Sequence, residues 1–345
     1  MTLQERIESF VLLGEKLQSF LTPGLTDSKD NNILVNAEKL NPWFIPKFSI
    51  EAIKAISKSL SKENLYNWIQ AYPKLAATNS KPKNIGVIMA GNIPLVGFND
   101  LLCTLIAGHK FIGKPSSKDG GLMNYIINTL ITVNTKFRER IKIEEDLLKD
   151  IDAIIATGSD NSSRYFEYYF SKYPHIIRKN RNSVAILSGD ETEQEISDLA
   201  DDVFLYFGLG CRSVSKLFVP DRYDFVSFFK TLECYNFVYN HNKYANNYEY
   251  NKAVFLMNKV KHLDNGFILV KEDNNYSSPI GVLFFEHYSD PKVLSSRLNN
   301  DKDQIQCIAT NIESFNDSVP LGKTQYPELT QYADNVDTMS FLLNI

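Results

Sequence analysis

A chain of 345 residues, 43% hydrophobic and 12% aromatic, has the length of about two domains and the apolar content to bury a core in each, which excludes a disordered protein. Its 37 basic and 41 acidic residues leave a net charge of −4 and a sequence pI near 5.8, so no basic excess exists to neutralise nucleic-acid phosphates. Four cysteines, Cys103, Cys211, Cys234 and Cys307, lie far apart without a CxxC pair, the pattern of a reduced protein with unpaired thiols.

The N-terminal MTLQERIESFVLLGEKL carries charges throughout its apolar pattern and reads as an amphipathic helix rather than a signal peptide. No apolar run reaches the roughly 18 residues of a membrane span, and a soluble cytoplasmic protein is expected. Residues 1–75 alternate helical patterns with a polar loop, TDSKDNN, and end at the break AYP. From Asn84 the character changes: NIGVIMA is a short apolar strand, and PLVGFNDLLCTLIAG an apolar helical segment. HKFIGK is the next strand, followed by a helix to about residue 134; IDAIIATGS is another strand, followed by the helical NSSRYFEYYFSKYP. Short apolar strands alternating with helices predict an α/β fold with a covered parallel sheet, whose ligands sit beyond the carboxyl ends of the strands. Gly91-Asn92 and Thr157-Gly158-Ser159 fall there.

In VAILSGDETEQEISDLADDVFLYFGLGC, Thr192 followed three residues later by Glu195 is a capping box. Ile196, Leu199, Ala200, Val203, Phe204 and Phe207 mark one apolar helical face, and Gly208 is expected to end the helix. Cys211 then lies just past the helix C-terminus, whose negative dipole end cannot lower a thiol pKa. Activation has to come from elsewhere, with Arg212 and a bound cofactor as candidates. In FGLGCRSV the glycines around Leu209 let the backbone turn sharply or approach a ligand; the cysteine is then either a buried filler or a nucleophile held out for substrate. Strands are expected at KLFVP, GFILVKE, IGVLFFEHY and QIQCIATNI; the Asn/Tyr-rich NHNKYANNYEYN reads as a surface loop leading into a helix, and the apolar tail YADNVDTMSFLLNI as a packed segment.

Several chemistries drop out. GHKFIGKP matches G-x-x-x-x-G-K, but Pro115 stands where Ser or Thr binds Mg²⁺, and no helix is expected to begin at the lysine. The five histidines show no HxxxH or HExxH spacing, no metal is expected, and there is no GxSxG elbow.

What remains is an ordered series: Asn92-Ile93-Pro94 after the first strand, Lys114-Pro115-Ser116-Ser117 after the next, Thr157-Gly158-Ser159 after a third, then Cys211. In this order and at these intervals they resemble the aldehyde dehydrogenase superfamily. RNSVAILSGDE, YFGLGCRS, SSPIGVLFFE and YADNVDTMSFL are most similar to the LuxC-type fatty acyl-CoA reductases. The resemblance runs from about residue 80 to the C-terminus and is loose over residues 1–75. It implies an oxyanion amide from Asn92, a catalytic Cys211, and Lys114 and Ser116 at the adenosine ribose. It further places Thr157, Gly158 and Ser159 around the cofactor phosphates and nicotinamide. Where NAD-preferring members carry a glutamate three residues after the lysine, this chain has Ser117, which implies NADPH over NADH.

The sequence departs from the superfamily twice. The glutamate that activates hydrolytic water in ordinary aldehyde dehydrogenases should lie in HIIRKNRNS, which has no carboxylate; His175 is the alternative base. Ser278 stands where a second glutamate holds the nicotinamide ribose. Loss of the first favours transfer to and from a thiol over hydrolysis. The resemblance therefore implies NADPH-dependent reduction of an acyl-CoA or acyl-protein thioester to the aldehyde. Two alternatives stand beside it: a cofactor-free cysteine acyltransferase, and an inactive binding protein of the same fold. Residues 1–180 are expected to form the dinucleotide-binding domain and 181–345 the catalytic domain, with the tail packing back. The chain is shorter than most relatives, and a homodimer is the assembly to test for.

Overall fold

Charges threaded through an apolar repeat make Leu3–Phe20 the first helix, α1, and Ser28–Leu40 form α2. The computed structural model describes residues 1–21, 28–77, 81–158 and 160–345. Part of the TDSKDNN loop is thus helix from Ser28 onward, while Thr26 and Asp27 lie outside the described residues. Pro46–Ser59 (α3) begins with proline at its first turn, where a missing N–H costs nothing, and packs against α1. Lys62–Gln70 (α4) is capped by Ser61, whose side chain accepts from the Asn64 N–H, and Lys74–Ala77 (α5) ends this helical segment.

The first sheet follows. Its elements in chain order are Asn84–Ile88 (β1), Phe98–Ile106 (α6), Lys110–Lys114 (β2), Leu122–Val133 (α7), Ile141–Ile143 (β3), Ala153–Thr157 (β4), Asp160–Phe170 (α8) and His175–Arg178 (β5). The strand order is β3-β2-β1-β4-β5, and every pair is parallel. The middle of β1 and nearly all of β4 are buried apolar residues, as a sheet covered on both faces requires. Order reverses between β1 and β4, a topological switch point of the kind that opens a crevice at the carboxyl edge.

The chain divides at Asn180. Met1–Lys179 together with Pro327–Ile345 form one compact unit, and Asn180–Tyr326 form the other. The tail, grouped with 181–345 in the sequence reading, belongs instead to the first unit. Its helix Thr338–Leu343, numbered last below, packs against α6, and the Leu342 carbonyl meets the His109 ring Nε2 at 2.9 Å. His109 Nδ1 accepts from the Lys83 N–H at 3.2 Å, so Nε2 carries the proton. Burial lowers the pKa of this ring and keeps it neutral.

In the second unit the elements are Asn182–Ile186 (β6), Glu193–Phe204 (α9), Val214–Pro220 (β7), Phe225–Leu232 (α10), Asn242–Met257 (α11), Leu263–Asp264 (β8), Leu269–Glu272 (β9), Val282–Tyr288 (β10), Pro291–Asn300 (α12) and Ile305–Ala309 (β11); the tail helix is α13. The order is β11-β6-β7-β10-β9-β8, parallel except for the β8–β9 pair. The Asn/Tyr-rich stretch is not a loop. Its helix begins at Asn242, because the His241 ring accepts from the Tyr244 N–H and Tyr244 and Tyr248 bury one side of it. Within this sheet Lys216 is fully buried. Its ammonium meets Glu286 at 2.6 Å and the Asn274 carbonyl at 3.0 Å, and stands over the rings of Phe218 and Tyr276.

Candidate functional site

The carboxyl edge of the first sheet gathers most of the residues singled out from the sequence. Asn92 follows β1 and is exposed; Lys114 closes β2; Thr157 closes β4, with Gly158 next; Ser159 lies outside the described residues. The loops after β1 and β2 touch: a Cβ on Gly91 would fall 2.6 Å from the Ser116 hydroxyl, so only glycine lets them approach. Asn41, just past α2 and buried, bridges the same two loops. Its side-chain N–H groups donate to the Gly91 carbonyl at 3.2 Å and the Lys118 carbonyl at 2.9 Å. Sequence reasoning missed Asn41, because nothing local marks one asparagine after a helix as the brace of two loops dozens of residues away.

At the end of β2, Ser117 and Lys118 are exposed and Lys114 half-buried, while the next carboxylate, Asp119, is turned into the fold and accepts from the Met123 N–H at 3.1 Å. This edge therefore carries the hydroxyls of Ser116 and Ser117 and the ammonium groups of Lys114 and Lys118, while the Glu144 N–H, from the end of β3, donates to the Gly113 carbonyl at 2.9 Å beside them.

Cys211 belongs to the second unit. The capping box starts α9 as expected: the Thr192 hydroxyl accepts from the Glu195 N–H at 3.2 Å, and the Glu195 carboxylate accepts from the Thr192 N–H at 2.8 Å. The backbone hydrogen bond from Thr192 holds the Glu195 carboxyl below its ordinary range. The helix ends earlier than its pattern predicts. Leu205 breaks it, and Tyr206, Phe207 and Gly208 follow with φ of 57°, 57° and 74°. Only the last is a glycine, and a bulky residue in this region costs about 1–3 kcal/mol unless its surroundings over-determine it. Packing supplies that constraint: Tyr206 and Phe207 are buried, and the Phe207 ring lies 4.4 Å from His241 and 5.9 Å from Tyr244, centre to centre. Phe207, placed on the helical face in the sequence reading, is instead the anchor of the turn that follows the helix.

The half-buried Cys211 sits in the next turn, closed by the Ser213 N–H donating to the Gly210 carbonyl at 3.0 Å. The Ser183 hydroxyl donates to the Cys211 carbonyl at 2.9 Å and lies 3.0 Å from the Cys307 sulfur. The adjoining segment is locked by Asp202, fully buried, which accepts from the Gly322 N–H at 2.6 Å, the Thr324 N–H at 3.0 Å and the Thr324 hydroxyl at 2.7 Å. From it, the Gln325 amide reaches Ser213 at 3.3 Å. The other cysteines differ. Burial holds Cys103 well above its ordinary pKa and pushes the Cys307 thiol up to about 11, and Cys234 is exposed on the 3-10 stretch Glu233–Asn240.

Burial also pushes the Asp202 carboxyl up to about 6, against its three hydrogen bonds. The folded pKa lies above the unfolded value of about 3.9, so folding favours the protonated form. That contribution is complete below about pH 4 and lost by about pH 6, a change of roughly 3 kcal/mol. Urea unfolding should therefore show stability falling over this window in the wild type, and a flatter profile in Asp202→Asn. Parallel profiles would show that Asp202 does not titrate there.

The remaining positions fall out plainly. HIIRKNRNS holds no carboxylate and places Arg178 in the core of the first unit. His175 is exposed, its Nδ1 donating to the Tyr173 carbonyl at 2.8 Å. The Ser278 hydroxyl donates to the Val282 carbonyl at 2.7 Å, so it is used within its own turn. Among the described residues, no group of three or more His, Cys, Asp and Glu could hold a metal, and no helix is long and apolar enough to cross a membrane.

A switch-point sheet followed by a mostly parallel six-stranded sheet with a cysteine turn ahead of β7 defines an aldehyde-dehydrogenase-like fold. A Physcomitrella patens aldehyde dehydrogenase 21, solved with succinate, superposes with a TM-score of 0.70 at 14% identity, over 100% of this chain and 84% of that one. An NAD-dependent benzaldehyde dehydrogenase from Corynebacterium glutamicum gives 0.65 at 13% identity, over 91% and 78%. The chain belongs to the acyl-CoA reductase (LuxC) family, whose profile matches residues 56–234, more than half of it. It is 24% identical over 155 residues to a long-chain acyl-protein thioester reductase of Aliivibrio fischeri. That match covers 40% of this chain and 32% of the relative, so the shared stretch spans about a third of the relative's length.

Proposed function

We propose that the protein reduces an acyl thioester to an aldehyde through an acyl-enzyme on Cys211, with NADPH as the reductant. The observation that carries this reading is a half-buried cysteine in the turn that follows the packed left-handed stretch Tyr206–Gly208, in a chain whose HIIRKNRNS segment offers no carboxylate to activate water. Family membership and the thioester reductase relative support the substrate class. In the first half-reaction the Cys211 sulfur bonds to the acyl carbon, the bond to the leaving thiol breaks, and that thiolate takes a proton on release. The reduced nicotinamide, when bound, supplies the hydride that converts the enzyme thioester to the aldehyde. Cys211 then departs as thiolate.

Each half passes through a tetrahedral oxyanion, for which the resemblance assigns the Asn92 amide and the Cys211 N–H. Removing one such donor typically costs about 10²–10³ in rate. Lys114, Ser116 and Ser117 hold the adenosine end, and Thr157, Gly158 and Ser159 the phosphate and nicotinamide region. Following NADPH absorbance with a panel of acyl-CoAs tests the reading. Aldehyde formed only with reduced nicotinamide supports it; acyl exchange between thiols without oxidation would establish an acyltransferase instead.

The same assay tests cofactor choice. Charge-assisted bonds from Lys114 and the neutral Ser117 favour a 2′-phosphate, and a gain of about 1.4 kcal/mol is a tenfold preference. NADPH should exceed NADH in kcat/KM by about that factor, and Ser117→Glu should narrow or reverse the ratio by weakening NADPH. A ratio untouched by the glutamate would show that this loop does not read the 2′ position.

A further inference from the structure

Arg178 is a buried cation of the first unit whose two outer nitrogens are both engaged, and nothing in the proposed chemistry uses it. It ends β5, is 6% exposed, and holds Asp100 of α6, 2% exposed, in a two-pronged pair with both N–O distances 2.7 Å. The two outer nitrogens have further partners. Nη1 donates to the Thr157 hydroxyl at 3.3 Å, and Nη2 to the Thr338 hydroxyl of the tail at 3.1 Å. The next residue continues the link, since the Lys179 N–H donates to Asp334, a tail residue with φ of 56°. One guanidinium thus joins a helix, the end of β4 and the C-terminal segment.

A guanidinium donates only and keeps its charge, so the direction of every bond is set. Thr157 must accept from Arg178, which orients its side chain and leaves the hydroxyl proton uncommitted by this bond. Asp100 neutralises the cation locally, so Arg178 offers no net charge to a phosphate. Its effect reaches a ligand through geometry.

We infer that Arg178 is a positioning residue for the nicotinamide cofactor: it orients Thr157 at the carboxyl end of β4, and Thr338 of the C-terminal tail completes the brace. This rests on the reading of Thr157 and Gly158 as the cofactor end of the sheet. It also gives the tail YADNVDTMSFL a part in cofactor binding, through one hydroxyl, without placing it against the cofactor.

NADPH affinity, read by the fluorescence of the bound nicotinamide, tests the inference in the full chain. Thr338→Val is a small change that leaves the ion pair in place, and Arg178→Lys keeps the charge but loses the fork. Each should raise the Kd by at least about fivefold, as Thr157→Val should. Tyr332→Phe is the structural control. It loosens the same tail, where the Tyr332 hydroxyl accepts from the Trp68 indole at 2.8 Å, without touching the guanidinium. It should lower the melting temperature and leave the Kd unchanged. Unaltered affinity in Thr338→Val and Arg178→Lys, or an equal loss in Tyr332→Phe, overturns the inference while the cofactor reading stands. A wild type that binds neither NADPH nor NADH overturns both.

Discussion

Cys211→Ala should carry no label after mixing with labelled acyl-CoA in the absence of nicotinamide, and its aldehyde formation should fall at least about 10³-fold. The expectation follows from comparing the four thiols. Cys103 is fully buried in α6 and burial keeps it protonated; the Cys307 thiol, pushed up to about 11, is held beside Ser183. Cys234 is exposed, its sulfur 3.5 Å from the Thr231 carbonyl, and no strained turn presents it. Only Cys211 combines partial exposure with a glycine-flanked turn, closed by the Ser213 N–H on the Gly210 carbonyl and held by the Ser183 hydroxyl on its own carbonyl. Peptide mass analysis locates the label, and its appearance on another cysteine would reject the assignment. A chase extends the test. In buffer the label should persist, because no carboxylate lies in HIIRKNRNS, while CoA should remove it quickly. Rapid loss in buffer would point to an exposed base, with His175 first to mutate.

Asp100→Ala should destabilise the first unit by about 3–5 kcal/mol, because it leaves the Arg178 guanidinium buried without its counter-charge. At about 2–4 °C per kcal/mol for a unit of this size, the melting temperature should drop by roughly 10 °C. Salt should soften the loss little, since both side chains are shielded from solvent, with exposures of 7% and 3%. The double variant Asp100→Leu, Arg178→Met should recover much of the stability, since an apolar pair of similar volume removes the desolvation cost along with the attraction. Recovery of stability without recovery of NADPH affinity would separate what the pair does for the fold from what it does for Thr157. A drop of less than about 1 kcal/mol in Asp100→Ala would show that other groups or water already compensate the cation.

Several local features of this chain were legible in its sequence, though the helix from Ser28 and the short strands Ile141–Ile143 and His175–Arg178 were not. The strands at NIGVI, KFIGK and AIIAT are continuous apolar runs, and their parallel pairing follows from alternation with helices. The Thr192–Glu195 capping box spans three residues and forms as read. The order of Asn92, Lys114 and Thr157 along the chain placed them at strand ends, and parallel strands bring such ends to one edge. Tertiary structure decided what depends on distant partners. α9 stops at Phe204 because His241 and Tyr244 capture Phe207 in a turn, which no helical periodicity can register. The Asn/Tyr-rich stretch is helical because Tyr244 and Tyr248 find burial in the second unit, outweighing a polar composition. Asn41, Asp100, Arg178 and Thr338 are ordinary residues in sequence. Their meaning comes from hydrogen bonds closed across 50 to 160 positions, and only a folded chain brings those donors and acceptors within reach.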